Sequence, residues 1–283
     1  MDSKNTYPII LAHGIARFDV GWNRLIDLDN QDDPFLDFFH YFRGIRSRLM
    51  QHGFPVYHSS VPWAASVKKR AEQLRRNVGA VLAGAGAEKV NIIAHSMGGL
   101  DARHMLFNDR NKGKVHRKVA SLTTIGTPHL GTSFADRGIR EHGELINVLK
   151  RLSLDIEGVR DLTRDACSVF NNNTEVKAFE DDLEDRTELR AYTGSASIEN
   201  VLAILRRPYR MIKEEEGDND GLVSVTSALW ERAKHKEIWE DTDHLNELAW
   251  WDLEQAATEG FLDLTRRIHD RYLEIARQLP GIA

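Results

Sequence analysis

A chain of 283 residues with 41% hydrophobic and 29% charged side chains has the balance of a soluble globular protein. Its length suits one large α/β domain or two small ones. Thirty-eight basic against forty-three acidic residues leave a net charge of -5, which excludes a generally basic surface for nucleic acid or anionic membrane.

The one cysteine, Cys167, excludes an intrachain disulfide and reads as a small buried hydrophobe. No charged segment followed by a long apolar run opens the chain, and no apolar run is long enough to span a bilayer. The expectation is a cytoplasmic protein as written, or a secreted one if a signal peptide has been removed.

In chain order, Ile9 to Ala12 reads as a first central strand ending at His13-Gly14-Ile15. Residues 16–34 are loop-like. Phe35 to Gln51 carries the helical period, with Phe38, Phe39, Phe42, Ile45 and Leu49 apolar and arginines between them. Gly53 stops it, and Phe54 to Val61 is a second strand. Ser66 to Leu82 reads as an amphipathic helix capped by Ser66 and ended by Gly84-Ala85-Gly86. Val90 to Ala94 is a buried strand, followed by a small-residue turn, Ala94-His95-Ser96-Met97-Gly98, and a helix to about Phe107.

Lys118 to Ile125 is a further strand, followed by Gly126-Thr127-Pro128-His129-Leu130-Gly131-Thr132. From Ser133 to Glu188 no strand is evident. Leu145, Leu149, Leu152 and Ile156 share one helical face, so 133–190 reads as a helical cap inserted over the sheet. Leu189 to Tyr192 resumes the sheet, Lys213 to Asp220 reads as a solvated loop, His235 to Glu240 as the last strand, and Phe261 to Leu279 as a C-terminal helix. Strands alternating with long helices predict an α/β fold, a mostly parallel sheet with helices on both faces. Such sheets bind ligands at the carboxyl ends of their strands.

Strand, tight turn with serine, then helix is the geometry of a nucleophile elbow, and Ala94 and Gly98 keep the turn small around Ser96. A serine hydroxyl needs a general base, itself oriented by a carboxylate. On this architecture the acid and then the histidine follow the serine, each after a late strand. Asp220, in Asn219-Asp220-Gly221-Leu222-Val223, supplies the acid, and Gly221 allows the tight turn that aims it inward. His244, after the strand ending near Glu240, supplies the base. Asp218 and Asp243 compete as acids but read as solvated or capping groups. His235 and His129 compete as bases, and His129 reads as structural or pocket-lining. Oxyanion donors are expected on the backbone N–H groups of Met97 and Ile15, with His13 a loop-stabilising group.

Together these segments resemble bacterial triacylglycerol lipases of the α/β-hydrolase superfamily, of the Pseudomonas, Burkholderia and Proteus type. The matching segments are Tyr7-Pro8-Ile9-Ile10-Leu11-Ala12-His13-Gly14, Tyr41-Phe42-Arg43-Gly44-Ile45, Arg70-Ala71-Glu72-Gln73-Leu74 and Val90 to Arg103. Gly126 to Thr132, Asn219 to Val223 and His244-Leu245-Asn246-Glu247 complete them, in the family's order over residues 7–250. The resemblance implies Ser96 as nucleophile, Asp220 as acid, His244 as base, oxyanion N–H groups on Ile15 and Met97, and a helical lid within 133–190. It also implies an ester or lipid substrate met at a lipid–water interface, and an acyl groove for which Phe18, Trp22, Trp63 and His129 are candidates. Relatives often hold a structural calcium through a carboxylate two residues after the histidine. Here Asn246 stands there, and near Asn200 a second carboxylate is also missing, so no cofactor and no metal is expected. A short-chain carboxylesterase or an acyltransferase with the same triad is the alternative, and a non-catalytic hydrolase-fold binding protein the rival from another class.

Overall fold

The structure is a computed structural model, described over residues 6–15, 34–62, 65–140 and 156–281. Its centre is a sheet of six strands: β1 (Ile9–Ala12), β2 (Val56–Ser59), β3 (Val90–His95), β4 (Val119–Ile125), β5 (Glu188–Ser195) and β6 (His235–Glu240). Their order is β2-β1-β3-β4-β5-β6, and every pairing is parallel. The central strands β1, β3 and β4 are buried along their whole length, as expected for a parallel sheet covered on both faces.

Alternation along the strands sorts the core into two layers. Ile10, Ala12, Ile92 and Ala94 pack with α3 (Val67–Ala85) and α4 (Met97–Asp109). Ile9, Leu11 and Ile93 pack on the opposite face with α2 (Ile45–Gln51) and α12 (Phe261–Arg277). Helix α3 presents Ala71, Leu74, Val78 and Leu82 to the sheet at helical spacing. It stops where Gly86 turns left-handed at φ 60. Ser66 stands at the N-cap of α3 without a side-chain capping bond.

Phe35 to Gln51 is not one helix. A single turn, α1 (Pro34–Asp37), is followed by tight turns and then α2. Gly44 turns left-handed at φ 68 just before α2, and the break is held by Asp37. It is buried, accepts the Ser47 N–H at 2.8 Å and pairs with His58 of β2 at 3.0 Å. The chain folds back around it, and its carbonyl receives the N–H groups of His40 and Gly44 at 3.1 Å.

Between β4 and β5 run α5 (Ser133–Arg140), α6 (Ile156–Asp161), α7 (Arg164–Asn171) and α8 (Thr174–Leu183), with no strand among the described residues. The face marked by Leu145, Leu149 and Leu152 lies outside the described residues. Lys213 to Asp220 is not a solvated loop: α9 (Arg206–Glu215) runs into it, and Asn219 and Asp220 are fully buried. Leu202, Leu205, Tyr209 and Ile212 bury one face there. Short α10 (Val225–Ala228) precedes β6, and α11 (Leu253–Glu259) precedes α12. The two ends of the described residues meet: the Tyr7 N–H donates to Gly281 O at 3.0 Å, and Asn91 Nδ2 in β3 donates to Pro280 O at 3.0 Å.

Candidate active site

Ser96 stands between the end of β3 and the start of α4, with backbone angles of φ 55 and ψ -131. Positive φ is uncommon for a non-glycine residue and marks a strained turn. The surroundings hold it there. The Ser96 N–H donates to Ile125 O at 2.8 Å, and the Ser96 carbonyl accepts Thr127 Oγ1 at 2.8 Å and the Gly99 N–H at 3.1 Å. Gly98 lies against the carbonyls of Ala12 and His13, and a Cβ on Gly14 would sit 2.8 Å from Ser96 Cβ. The small-residue pattern thus lets the first strand's loop press against the serine.

Asp220 is turned inward by the tight turn after it, where Gly221 adopts φ 101. Asp220 Oδ1 accepts the N–H groups of Leu222 and Val223 at 2.8 and 2.7 Å, leaving Oδ2 to accept His244 Nδ1–H at 2.7 Å. The His244 N–H also donates to Asp220 O at 2.8 Å. The histidine is therefore fixed in one tautomer with Nε2 free of this pairing, as a general base requires. His244 and Ser96 share neighbours: the ring of His95, beside Ser96, lies 4.5 Å centroid to centroid from His244, and a Cβ on Gly126 would sit 3.0 Å from His244 Nδ1.

The loop carrying Ile15 is oriented from below. Arg70, fully buried, donates through Nη2 to the carbonyls of His13 and Gly14 at 2.8 and 3.2 Å and through Nε to Asp101 Oδ2 at 2.9 Å. His13 Nδ1 bonds to the same Gly14 carbonyl at 2.8 Å. In a trans peptide the following N–H points opposite to its carbonyl. Drawing the Gly14 carbonyl towards Arg70 therefore turns the Ile15 N–H the other way. Met97 is the first residue of α4, where helix N–H groups lack intrahelical partners and the dipole favours negative charge. Burial pushes the Asp101 carboxyl up to about 6 against the pull of Arg70.

A buried hydrogen-bonded cluster lies behind His244 and Ser96. Glu247 Oε2 is 2.9 Å from His95 Nε2 and 3.7 Å from His244 Nδ1, while Oε1 accepts the Gly194 N–H at 2.6 Å. His95 Nε2 also meets His244 O at 3.1 Å, so that nitrogen carries the hydrogen and Nδ1 accepts from the Tyr41 hydroxyl at 2.8 Å. Burial, and then His244, holds His95 well below the usual imidazole range, and burial with Asp220 beside it raises Glu247 well above the carboxylate range.

The competing residues have other work. Asp218 is exposed and pairs with Lys213. Asp243 is buried and accepts the N–H groups of Leu202, Leu245 and Asn246 at 2.7, 2.9 and 2.8 Å. His235 is partly exposed beside Glu237. His129 stacks on Trp230 with ring centroids 4.9 Å apart, and its Nε2 is 3.1 Å from Thr124 Oγ1. It lines a cavity of about 480 Å³ with Arg103 and Trp230, and neither Ser96 nor His244 borders that space. His129 is thus a packed group that also lines a cavity, in keeping with the structural or pocket-lining reading. Phe18, Trp22 and Trp63 lie outside the described residues. Arg70, Asp101, Tyr41 and the function of Glu247 were not singled out from the sequence, although the segments of family resemblance contain all four.

The calcium question is answered by chemistry at Asn246. Four neutral oxygens converge there, Asn246 Oδ1, Gln255 Oε1 and the carbonyls of Asn200 and Trp250, and each accepts an N–H. Calcium takes several oxygens including carboxylates. The residues present do not fit the ion.

A parallel sheet with a serine elbow, an acid turn and a terminal histidine loop defines an α/β-hydrolase. Residues 66–193 match the family model of a PGAP1-like alpha/beta domain. The chain is 28% identical to a triacylglycerol lipase of Pseudarthrobacter phenanthrenivorans, over 86% of this chain and 89% of that protein. It is likewise 28% identical to a triacylglycerol lipase of Burkholderia plantarii, over 86% and 79%. Lipase 1 of Pelosinus fermentans shares the fold at a TM-score of 0.65 with 18% identity, over 97% and 99% of the two chains. These similarities support a bacterial lipase of the α/β-hydrolase type.

Proposed function

We propose that the protein is a lipase or carboxylesterase that cleaves acylglycerol esters through an acyl-enzyme on Ser96. The observation that carries this reading is the 2.7 Å bond from His244 to the buried Asp220, beside a serine held at φ 55. Ser96 Oγ attacks the ester carbonyl carbon as His244 Nε2 takes its proton. The oxyanion is received by the Ile15 and Met97 N–H groups, each such donor being worth roughly 2.7–4 kcal/mol. The intermediate collapses, the alcohol leaves with the proton from His244, and water resolves the acyl-enzyme by the same steps. The similarity to triacylglycerol lipases supports the preference for lipid.

Ser96→Ala is expected to abolish p-nitrophenyl ester hydrolysis and fluorophosphonate labelling while leaving the circular dichroism spectrum unchanged. Retained turnover in that variant sinks the assignment. A series of acyl chain lengths, measured below and above the solubility limit of each ester, separates the two enzyme classes. Rates that rise with chain length and with an interface mark a lipase, and rates confined to short soluble esters mark a carboxylesterase.

A further inference from the structure

The turn carrying His244 is fastened by two side-chain amides. Asn246 Nδ2 donates to Gln255 Oε1 at 3.1 Å, and Gln255 Nε2 donates back to Asn246 Oδ1 at 3.1 Å. The other positions on both amides are filled from the backbone. Asn246 Nδ2 donates to Trp250 O at 2.9 Å, and Asn246 Oδ1 receives the Asp243 N–H at 3.2 Å. Gln255 Nε2 donates to Asn200 O at 2.7 Å, and Gln255 Oε1 receives the Asp252 N–H at 3.5 Å. These backbone partners fix which end of each amide is oxygen and which is nitrogen.

The pair joins three pieces of chain: the turn from Asp243 to Trp250, the capped start of α11, and the short segment after β5. Asn246 is fully buried, so its amide would be costly to leave unpaired. The third piece is tied again where Asp243 Oδ2 accepts the Leu202 N–H at 2.7 Å and Asn200 Nδ2 reaches Asp241 at 2.8 Å. All but two of these bonds have at least one end between Asp241 and Trp250, on the turn that carries His244. A metal ion on either side-chain amide oxygen would have to displace an N–H group, since each already accepts two.

We propose that the Asn246–Gln255 amide pair is the positioning element of His244, joining by neutral hydrogen bonds what calcium-holding relatives join by an ion, so that the enzyme needs no divalent cation. The kinetic part rests on His244 as the general base of the proposed function, whereas the stability part does not. Asn246 and Gln255 act through His244 and touch no reacting atom.

The test uses the full chain, treated with a chelator or supplied with millimolar calcium. Ester turnover and Tm are expected to be the same in both. Asn246→Ala and Gln255→Ala are each expected to lower kcat about tenfold with KM for a short soluble ester unchanged. Each is expected to lower Tm by about 3–6 °C. The double variant should fall no further than the worse single, because the two residues act as one unit. Loss of wild-type activity or Tm on chelation, a rise in either with calcium, additive losses, or an effect on KM alone overturns the proposal. If Asn246→Ala does not fold, the wild-type cation comparison and Gln255→Ala still decide it. Should the wild type hydrolyse no ester and Ser96 take no fluorophosphonate, the hydrolase reading falls, and the Tm comparison judges the amide pair by itself.

Discussion

Ser96 holds a conformation that costs a non-glycine residue about 1–3 kcal/mol, and its φ of 55 is maintained by bonds on either side of the turn. Removing the side chain to Cβ leaves that cost in place, whereas glycine relieves it. Ser96→Gly is expected to be more stable than Ser96→Ala by about 1–2 kcal/mol, after allowing for glycine's larger unfolded-state entropy. Denaturant titrations with equal m-values measure the difference, and equal midpoints would place the strain elsewhere. Cys167 gives a second residue-scale expectation. It is buried, and burial pushes its thiol up to about 12. Thiolate is then negligible at mildly alkaline pH, so a thiol reagent is expected to react slowly with the folded protein and fast after denaturation. Equal rates in the two states would contradict the burial.

At the scale of elements, the places of Ser96 and His244 were legible because each closely follows a strand, and that of Asp220 because Gly221 marks its turn. Arg70 and Asp101 were not, since a buried cation looks like any surface cation until its partner, thirty-one positions away, is known. The break between α1 and α2 escaped for the same reason: the pairing of Asp37 with His58 overrides an uninterrupted helical period. Helix α9 was obscured by its run of glutamates, although Tyr209 and Ile212 carried its buried face in plain spacing, with Leu202 and Leu205 leading into it. Helix α4 also contains a titratable group whose effect is measurable. His104 stacks on Phe170 of α7 at 3.8 Å, and burial, with Arg103 beside it, lowers its pKa to about 3. The unfolded chain therefore takes up a proton below about pH 6.5 that the folded protein refuses, and stability is lost as pH falls. The advantage of wild type over His104→Gln is expected to shrink by about 1.4 kcal/mol per pH unit in that range. Urea titrations at neutral and mildly acidic pH check this, and a constant difference would mean the ring titrates normally in the folded state.

At the scale of the molecule, two apolar layers enclose the sheet and a third cluster covers the ends of its strands. The third cluster contains both residues proposed to supply oxyanion donors, so the packing of the helices above bears directly on the geometry at Ser96. That dependence was not legible from sequence, because residues as distant as Ile15 and Leu205 share it only once the chain has folded.

The bond between the Tyr7 N–H and Gly281 O makes the described chain a ring in all but covalency. The order in which the described segments are strung together is then close to arbitrary for the folded state. A permuted gene that joins the old ends by a short linker and opens the exposed turn at Gly84 to Gly86 should yield the same sheet with an active Ser96. Comparing its refolding rate with that of the parent would reveal whether β1 must meet β3 early, since permutation changes the loop that this pairing closes.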